Sequence, residues 1–276
     1  MHPLDAATRL ARSGDKFKGA TSDDYWNFTG PFGGVTAATL LQAAIQHPAR
    51  QNLPLAMTMN YCAPVAKGAF DILVSEKRTN RSTQHFSVDM MQGEDVVATA
   101  TLVFASRPEG FALTTGKMPP VKTPEEIDPP KAKSPLAWID RFDMRFASGF
   151  PVMRPKEDAP LGSPRTEVWM RDNPVRKLDF VSLMSMSDAF FARPFQVLGK
   201  LITLGTVSMT TYFHCDEQDL AEAGEDYVLG VADANVFNKG YDDQTAQLWT
   251  RGGKLLATSQ QIIYFRDKAF VPGAKK

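Results

Sequence analysis

The same succession of predicted elements occurs twice in this chain of 276 residues, once on each side of a proline-rich segment. Residues 35–47 predict an apolar helix, and four strand-like stretches follow it as far as residue 106. A second helix-like stretch, at 175–194, is also followed by four strand-like stretches, which end at residue 266. We therefore expect an α+β protein with two copies of one unit, in which a long antiparallel sheet wraps around a central helix.

The proline-rich segment divides the two copies. Seven prolines fall between Pro108 and Pro135, with charged residues among them. Proline fixes φ and removes a backbone donor, so this segment is expected to be a linker rather than a helix or strand. The predicted boundaries are 1–107 for the first repeat, 108–136 for the linker and 137–270 for the second repeat.

The repeat is also visible in the residues themselves. "GEDVVATATLVF" near residue 93 resembles "GGKLLATSQQII" near residue 252. Aligning the helices pairs three polar residues of the first with three of the second: Thr36 with Ser182, Thr39 with Ser185, and Gln42 with Asp188. This polar stripe is expected to face the region between the copies, unless the hydroxyls only bond back to their own helix. An aspartate on so apolar a helix needs a partner.

Composition excludes several classes of partner. Lys plus Arg and Asp plus Glu are both 31, which gives no reason to expect binding to nucleic acid or to an anionic membrane surface. The sequence shows no signal peptide and no transmembrane helix, and so predicts no membrane insertion. Two distant cysteines suggest free thiols in a cytoplasmic protein. The histidines fit no metal-binding motif, so we expect no metal and no cofactor.

Several motifs resemble one known family. "GPFGGVTAATLLQAA" is similar to the opening helix of the acyl-CoA thioesterase II family, which has a double hot-dog fold, and "MTMNYCAPV" and "SEKRTNRSTQHFSVDMMQGEDVVATATLVFAS" resemble its next strands. In the second half, "SMSDAFF", "TLGTVSMTTYFH" and "GGKLLATSQQIIYFR" resemble its three active-site segments. The resemblance covers most of the chain outside the linker.

The resemblance implies hydrolysis of an acyl-CoA substrate by a water that an aspartate, a serine or threonine, and a glutamine hold together. Carried over by motif, these are Asp188, Thr206 and Gln261, with Gln260 as the alternative to Gln261. Only one of these two neighbours can face the site, because adjacent strand residues point to opposite sides.

The chemistry of the residues agrees with this implication. Asp188 can act as a general base, and the hydroxyl of Thr206 and the amide of Gln261 can orient a water. At the positions that match Thr206 and Gln261, the first repeat has Pro54 and Leu102, so we expect one active site rather than two.

Further residues are candidates for substrate binding. Gly33 and Gly34 begin a helix, where unpaired backbone amides could form an oxyanion hole, although a tight turn or close packing would also explain them. Gln42 is a candidate for ligand contact. Arg78 and Arg81 could contact the phosphates of CoA, or could simply lie in a solvated hairpin turn.

Two other functions remain open at this stage. The first is a non-catalytic acyl-CoA-binding protein that keeps the fold. The second is an enoyl-CoA hydratase of the hot-dog class, although no histidine lies close to Asp188 in the sequence. Because the chain would already contain both copies, a monomer and a homo-oligomer are both possible.

Overall fold

The fold is built around one large antiparallel sheet. The computed structural model describes residues 1–131, 134–153 and 160–269, and within them thirteen strands join a single sheet. The α-helices are α1 (Pro3–Ala7), α2 (Gly33–Ile45), α3 (Phe180–Met186), α4 (Arg193–Leu198) and α5 (Glu217–Ala223). The strands are β1 (Ala11–Ser13), β2 (Lys16–Ala20), β3 (Leu53–Tyr61), β4 (Ala69–Thr79), β5 (Thr83–Gln92), β6 (Asp95–Ala105), β7 (Phe142–Ser148), β8 (Thr166–Asp172), β9 (Ile202–Phe213), β10 (Val228–Asp233), β11 (Phe237–Asn238), β12 (Tyr241–Thr250) and β13 (Leu255–Ala269).

The strand order repeats from each outer edge of the sheet to its centre. The first half runs β1-β2-β4-β5-β6-β3, and the second half runs β7-β8-β10-β12-β13-β9. β3 and β9 pair at the centre, where the hydroxyls of Thr58 and Thr210 lie 3.1 Å apart. The two halves therefore form one continuous sheet related by a pseudo-twofold axis, and the predicted double hot-dog fold is confirmed.

The central helix of the first repeat, α2, is almost entirely enclosed. Ten of its 13 residues are buried, and strands of the first repeat pack against it. The residue before the helix, Phe32, has no side-chain oxygen and provides no side-chain cap. The first amides of α2 therefore have no partner from a capping side chain, so they can donate hydrogen bonds to another group near the helix N-terminus.

The prediction of one continuous helix at 175–194 was wrong. The chain forms α3, turns through 187–192, and begins a second short helix, α4, at Arg193. In a continuous helix, the ring of Pro194 would clash with the carbonyl of the residue four positions earlier. Pro194 is instead tolerated in the first turn of α4. This break is important because it places Asp188 in a turn rather than on a helix face.

The expected orientation of the polar stripe on α2 was also wrong for two residues. Thr36 Oγ1 donates to the Phe32 carbonyl at 3.3 Å, and Thr39 Oγ1 donates to the Val35 carbonyl at 2.7 Å. Both threonines line a small cavity of about 20 Å³ on the side of α2 that faces Met90 of the first repeat. Bonding back to the helix satisfies their hydroxyls, so they need no partner from the second copy.

Candidate active site

The turn after α3 places Asp188 in the interior. Its backbone amide donates to the Ser185 carbonyl at 3.3 Å, which continues the last turn of the helix. The preceding residue is fixed from the sheet, because Ser259 Oγ on β13 donates to the Ser187 carbonyl at 3.1 Å. Asp188 is only 9% exposed. A turn that is bonded both to its own helix and to the sheet holds this carboxylate in one position.

The Asp188 carboxylate has polar partners from both repeats. Gln261 Nε2, from the second repeat, donates to Asp188 Oδ1 at 2.8 Å. Burial raises the pKa of Asp188 to about 7, while hydrogen bonds from Gln261 and from the backbone amide of Gly34, in the first repeat, act to lower it. Asp188 therefore changes its charge near neutral pH, in the range where a carboxylate works best as a general base.

Thr206 and Gln261 come together on neighbouring strands. Thr206 Oγ1 on β9 donates to Gln261 Oε1 at 3.4 Å, so one end of the glutamine amide meets Thr206 and the other end meets Asp188. Gln261 is 1% exposed, whereas the side chain of Gln260 faces solvent. The strand register thus places Gln261, and not Gln260, beside Asp188.

This difference predicts a large contrast between two neighbouring substitutions. Gln261→Ala removes a hydrogen bond to Asp188 and is expected to lower kcat/KM by about 100-fold if this cluster is catalytic, because the position of the carboxylate is lost. Gln260→Ala should leave kcat/KM within about twofold, since surface changes away from a site have small effects. Steady-state assays of the two variants provide the measurement, and equal losses in both would contradict the assignment.

The start of α2 approaches the same carboxylate from the first repeat. A Cβ atom on Gly33 would lie 2.7 Å from Asp188 Oδ2, closer than any normal contact. A Cβ on Gly34 would lie 2.5 Å from the Ser185 carbonyl oxygen. Gly33 therefore leaves room at the carboxylate, whereas Gly34 allows α2 and α3 to pack closely. Tyr61 Oη, which donates to the Gly33 carbonyl at 2.9 Å, also lies beside this space.

The first repeat lacks the corresponding polar groups. The residue of β6 that pairs with the middle of β3 is Leu102, and the matching residue of β13 is Gln261. Pro54 and Thr206 also occupy matching positions, each next to a bulge in its strand. The pseudo-twofold axis therefore relates the polar residues Thr206 and Gln261 of one half to apolar residues of the other.

Three candidate residues lie away from this cluster. Gln42 follows Gly33 by nine residues on α2, a rise of about 13 Å along the helix axis. Arg78 and Arg81 lie at the β4–β5 hairpin, beyond the opposite end of α2. Gln84, at the start of β5, bonds there to the Ala49 carbonyl at 2.7 Å. The structure does not bring Gln42, Arg78 or Arg81 to Asp188, and their contact with substrate stays a prediction.

Sequence reasoning did not identify Tyr61 or Ser259 as parts of this region. Ser259 precedes Gln261 by two residues and so shares its face of β13, a signal that strand periodicity could have supplied. Tyr61 had no such signal, since its position depends on how β3 ends against the start of α2. Burial, and then the charge of Asp188, raise the pKa of Tyr61 well above its ordinary value, so it remains a neutral donor.

The described residues contain neither a cluster of metal-binding side chains nor a helix that could span a membrane. Across 1–131, 134–153 and 160–269, no three histidine, cysteine, aspartate or glutamate side chains are grouped so that they could hold a metal ion. None of the helices in these ranges combines the length and the apolar character needed to cross a bilayer.

Comparison with known proteins places this geometry in a family. A sequence profile described as the acyl-CoA thioesterase N-terminal domain matches residues 22–105, and one described as the acyl-CoA thioesterase C-terminal domain matches residues 119–265. The chain belongs to the acyl-CoA thioesterase family. The two profiles fall on the two repeats in the order in which the sheet contains them, so both halves are recognised as thioesterase domains.

Solved structures of similar fold include a protein of unknown function and proteins named as thioesterases. A conserved hot-dog protein of unknown function from Alicyclobacillus acidocaldarius is 40% identical, with a TM-score of 0.92 over 98% of this chain and 100% of that one. A putative thioesterase II from Thermobifida fusca is 16% identical, with a TM-score of 0.80 over 96% and 98% of the two chains.

An acyl-CoA thioesterase II from Mycobacterium marinum is 17% identical, with a TM-score of 0.75 over 95% of this chain and 98% of that one. No curated protein matches the sequence significantly. At 16% and 17% identity, the two thioesterase structures show a shared fold and do not assign roles to individual residues of this chain.

Proposed function

We propose that the protein hydrolyses an acyl-CoA thioester to a free acid and CoA at a single site around Asp188. The observation that carries the proposal is the position of the Asp188 carboxylate, which is buried between the amide of Gln261 and the start of α2. Thioester hydrolysis needs a base that takes a proton from water and donors that stabilise an oxyanion. A carboxylate that titrates near neutrality can be the base, and the backbone amides it faces can be the donors.

In the proposed reaction, Asp188 takes a proton from a water molecule as the water oxygen attacks the thioester carbonyl carbon. The carbonyl π electrons move to oxygen, and amides at the start of α2 stabilise the resulting oxyanion. When the tetrahedral intermediate collapses, the carbon–sulfur bond breaks and CoA leaves as a thiolate, which takes the proton from the Asp188 carboxyl group and so restores the carboxylate. The acyl group leaves as the carboxylic acid.

Gln261 and Thr206 are proposed to orient the base and the water. The Gln261 amide is held at both ends, by Asp188 and by Thr206, so its direction is fixed before substrate binds. An orientation set in advance lowers the reorganisation needed during the reaction. The proposed oxyanion site uses Gly33 and Gly34, and the backbone amide of Gly34 is directed towards Asp188.

The raised pKa of Asp188 predicts how the reaction depends on pH. Below about pH 7 the carboxyl group holds its proton and cannot accept one from water, so kcat/KM should fall as the pH decreases through this value. Above it, kcat/KM should reach a plateau until another group titrates. Steady-state rates from about pH 5.5 to 8.5 test this, and full activity at the acidic end would exclude Asp188 as the base.

A panel of CoA thioesters tests the function itself. Released thiol is measured for straight-chain, branched and aromatic acyl-CoAs, and turnover of at least one class is expected. Binding of acyl-CoA without thiol release would instead indicate a non-catalytic binding protein. Loss of enoyl absorbance without thiol release would indicate a hydratase.

A further inference from the structure

A second buried polar group lies close to the turn that contains Asp188. Arg193 is 0% exposed, and its guanidinium makes no ion pair within the described residues. Within the described residues its hydrogen-bond acceptors are all neutral, and the carboxylates of Asp242 and Asp233 act on it without forming an ion pair, so the cost of burying this charge is only partly offset. The cost of burying this guanidinium suggests that it has a role other than packing.

The hydrogen bonds of Arg193 join three separate segments. Nη1 donates to the Pro164 carbonyl at 2.7 Å and to Thr166 Oγ1 at 2.8 Å, which anchors the side chain to the start of β8. Nη2 donates to the carbonyl of Phe191, three residues after Asp188. Arg193 therefore ties the turn at 187–192 to the second repeat's sheet.

The remaining donor of Arg193 connects it to Gln261 through Gln244. Nε donates to Gln244 Oε1 on β12 at 3.0 Å. Gln244 pairs directly with Gln261 across β12 and β13, and both side chains are buried. Paired residues on adjacent antiparallel strands have Cβ atoms about 5 Å apart, so Gln244 packs beside the glutamine that binds Asp188.

The first repeat shows that the fold does not require this polar pair. Phe86 pairs with Leu102 in the first repeat as Gln244 pairs with Gln261 in the second. The ring of His47 packs against Phe86 with centroids 5.4 Å apart, and the helix alignment places His47 opposite Arg193. An aromatic contact thus occupies the matching place in the half that lacks the polar cluster.

We propose that Arg193 and Gln244 are positioning residues. They hold the turn that contains Asp188 and the side chain of Gln261 at a fixed position relative to each other. Neither residue touches the reacting atoms in this proposal, which rests on the proposed function of Asp188. Their effect passes through the Phe191 carbonyl on one side and through the packing of Gln244 against Gln261 on the other. The guanidinium suits this task because its planar fork can bond several fixed acceptors at once.

The main test is Gln244→Met, which keeps the volume and removes the acceptor for Arg193. If the Gln261 side chain shifts away from Asp188, kcat should fall about tenfold while KM stays within about twofold. The acidic pKa of the kcat/KM profile should also move upward, because the Gln261 hydrogen bond lowers the pKa of Asp188. A purely structural defect would lower the amount of folded enzyme and leave this pKa where it is.

Two further variants complete the design. Arg193→Lys keeps the charge but cannot bond the three segments together, and it should shift the profile in the same direction. Gln84→Met is the matched control, since Gln84 is a buried glutamine of the first repeat with bonds to Ala49, Gln51 and Thr79. It should lower thermal stability and leave the acidic pKa unchanged.

One neighbouring group must be separated from Asp188. Asp242 lies on the same face of β12 as Gln244, its pKa is raised by burial to about 7, and the charge of Arg193 acts on it. The pH profiles of kcat/KM are therefore measured again in an Asp242→Asn background. An upward shift of the acidic pKa that arises from Asp188 should persist there. Disappearance of the shift there, or an unshifted pKa in folded Gln244→Met, overturns the inference. A wild-type chain with no thiol release on any substrate overturns the proposed function instead.

Discussion

Asp188→Asn is expected to lower kcat/KM on the best acyl-CoA by about 1,000-fold, the middle of the range for loss of a general base. The asparagine keeps the size of the side chain and can still accept a hydrogen bond from Gln261, but it cannot take a proton from water. Substrate binding should change little, so the loss should appear in kcat. The measurement is thiol release under saturating substrate.

The same substitution is expected to stabilise the folded protein at alkaline pH. Burial raises the pKa of Asp188 to about 7 from an ordinary value of 3.8, so the unfolded chain ionises this group more readily than the folded one. Wild-type stability should therefore decrease as the pH rises from about 4 to about 7, and the loss is complete above the folded pKa.

An asparagine at position 188 carries no charge and avoids this loss. The difference in unfolding free energy between Asp188→Asn and wild type should approach zero near pH 4 and reach at most about 4 kcal/mol near pH 8. Denaturant unfolding at both pH values measures it. A variant that is less stable than wild type at pH 8, or equally active, would contradict the role given to Asp188.

Gly33→Ala is expected to disturb the Asp188 carboxylate directly. A methyl group at this position would lie 2.7 Å from Asp188 Oδ2 and 3.1 Å from Tyr61 Oη, so the carboxylate or the helix start must move. A displacement of about 1 Å in a catalytic group can lower a rate about 100-fold, and we expect a loss of that size in kcat/KM. Steady-state kinetics on the purified variant provide the measurement.

Gly110→Ala is a suitable control for this experiment. A Cβ at Gly110 meets no atom within 4 Å, and the residue lies in the linker, so its activity should match wild type. The folded state of both variants is checked by thermal unfolding. If Gly33→Ala folded normally and kept its activity within about threefold, the start of α2 would not be close to the reacting groups.

Local patterns were sufficient to predict α2 and most of the long strands. The alternation in β5 and β6 predicted half-buried antiparallel strands, and the structure places them at 83–92 and 95–105. β7 and β8 were not predicted. They lie between the linker and α3, whereas the repeated pattern was recognised only from the helix of each half onwards. The break before α4 was also missed, although Pro194 carried the physical signal for it.

The candidate site was only partly predictable, because its geometry depends on strand register. The sequence motif favoured Gln261 and kept Gln260 as the alternative, and the pairing of β13 with β9 and β12 decides which one faces inward. The proximity of Gly33 to Asp188 follows from the packing of α2 against α3, across 155 residues of chain. No local pattern carries that information.

The central pairing of β3 with β9 has a consequence for how such a chain can evolve. In a dimer of identical subunits, every mutation appears in both copies, so neither site can be given up without losing the other. A covalent fusion removes this constraint, and in this chain the apolar residues Pro54, Phe86 and Leu102 stand where the other half has Thr206, Gln244 and Gln261. Under the proposed function, a gene encoding either half alone would lack part of the site, because Asp188 belongs to one half and Gly33 to the other.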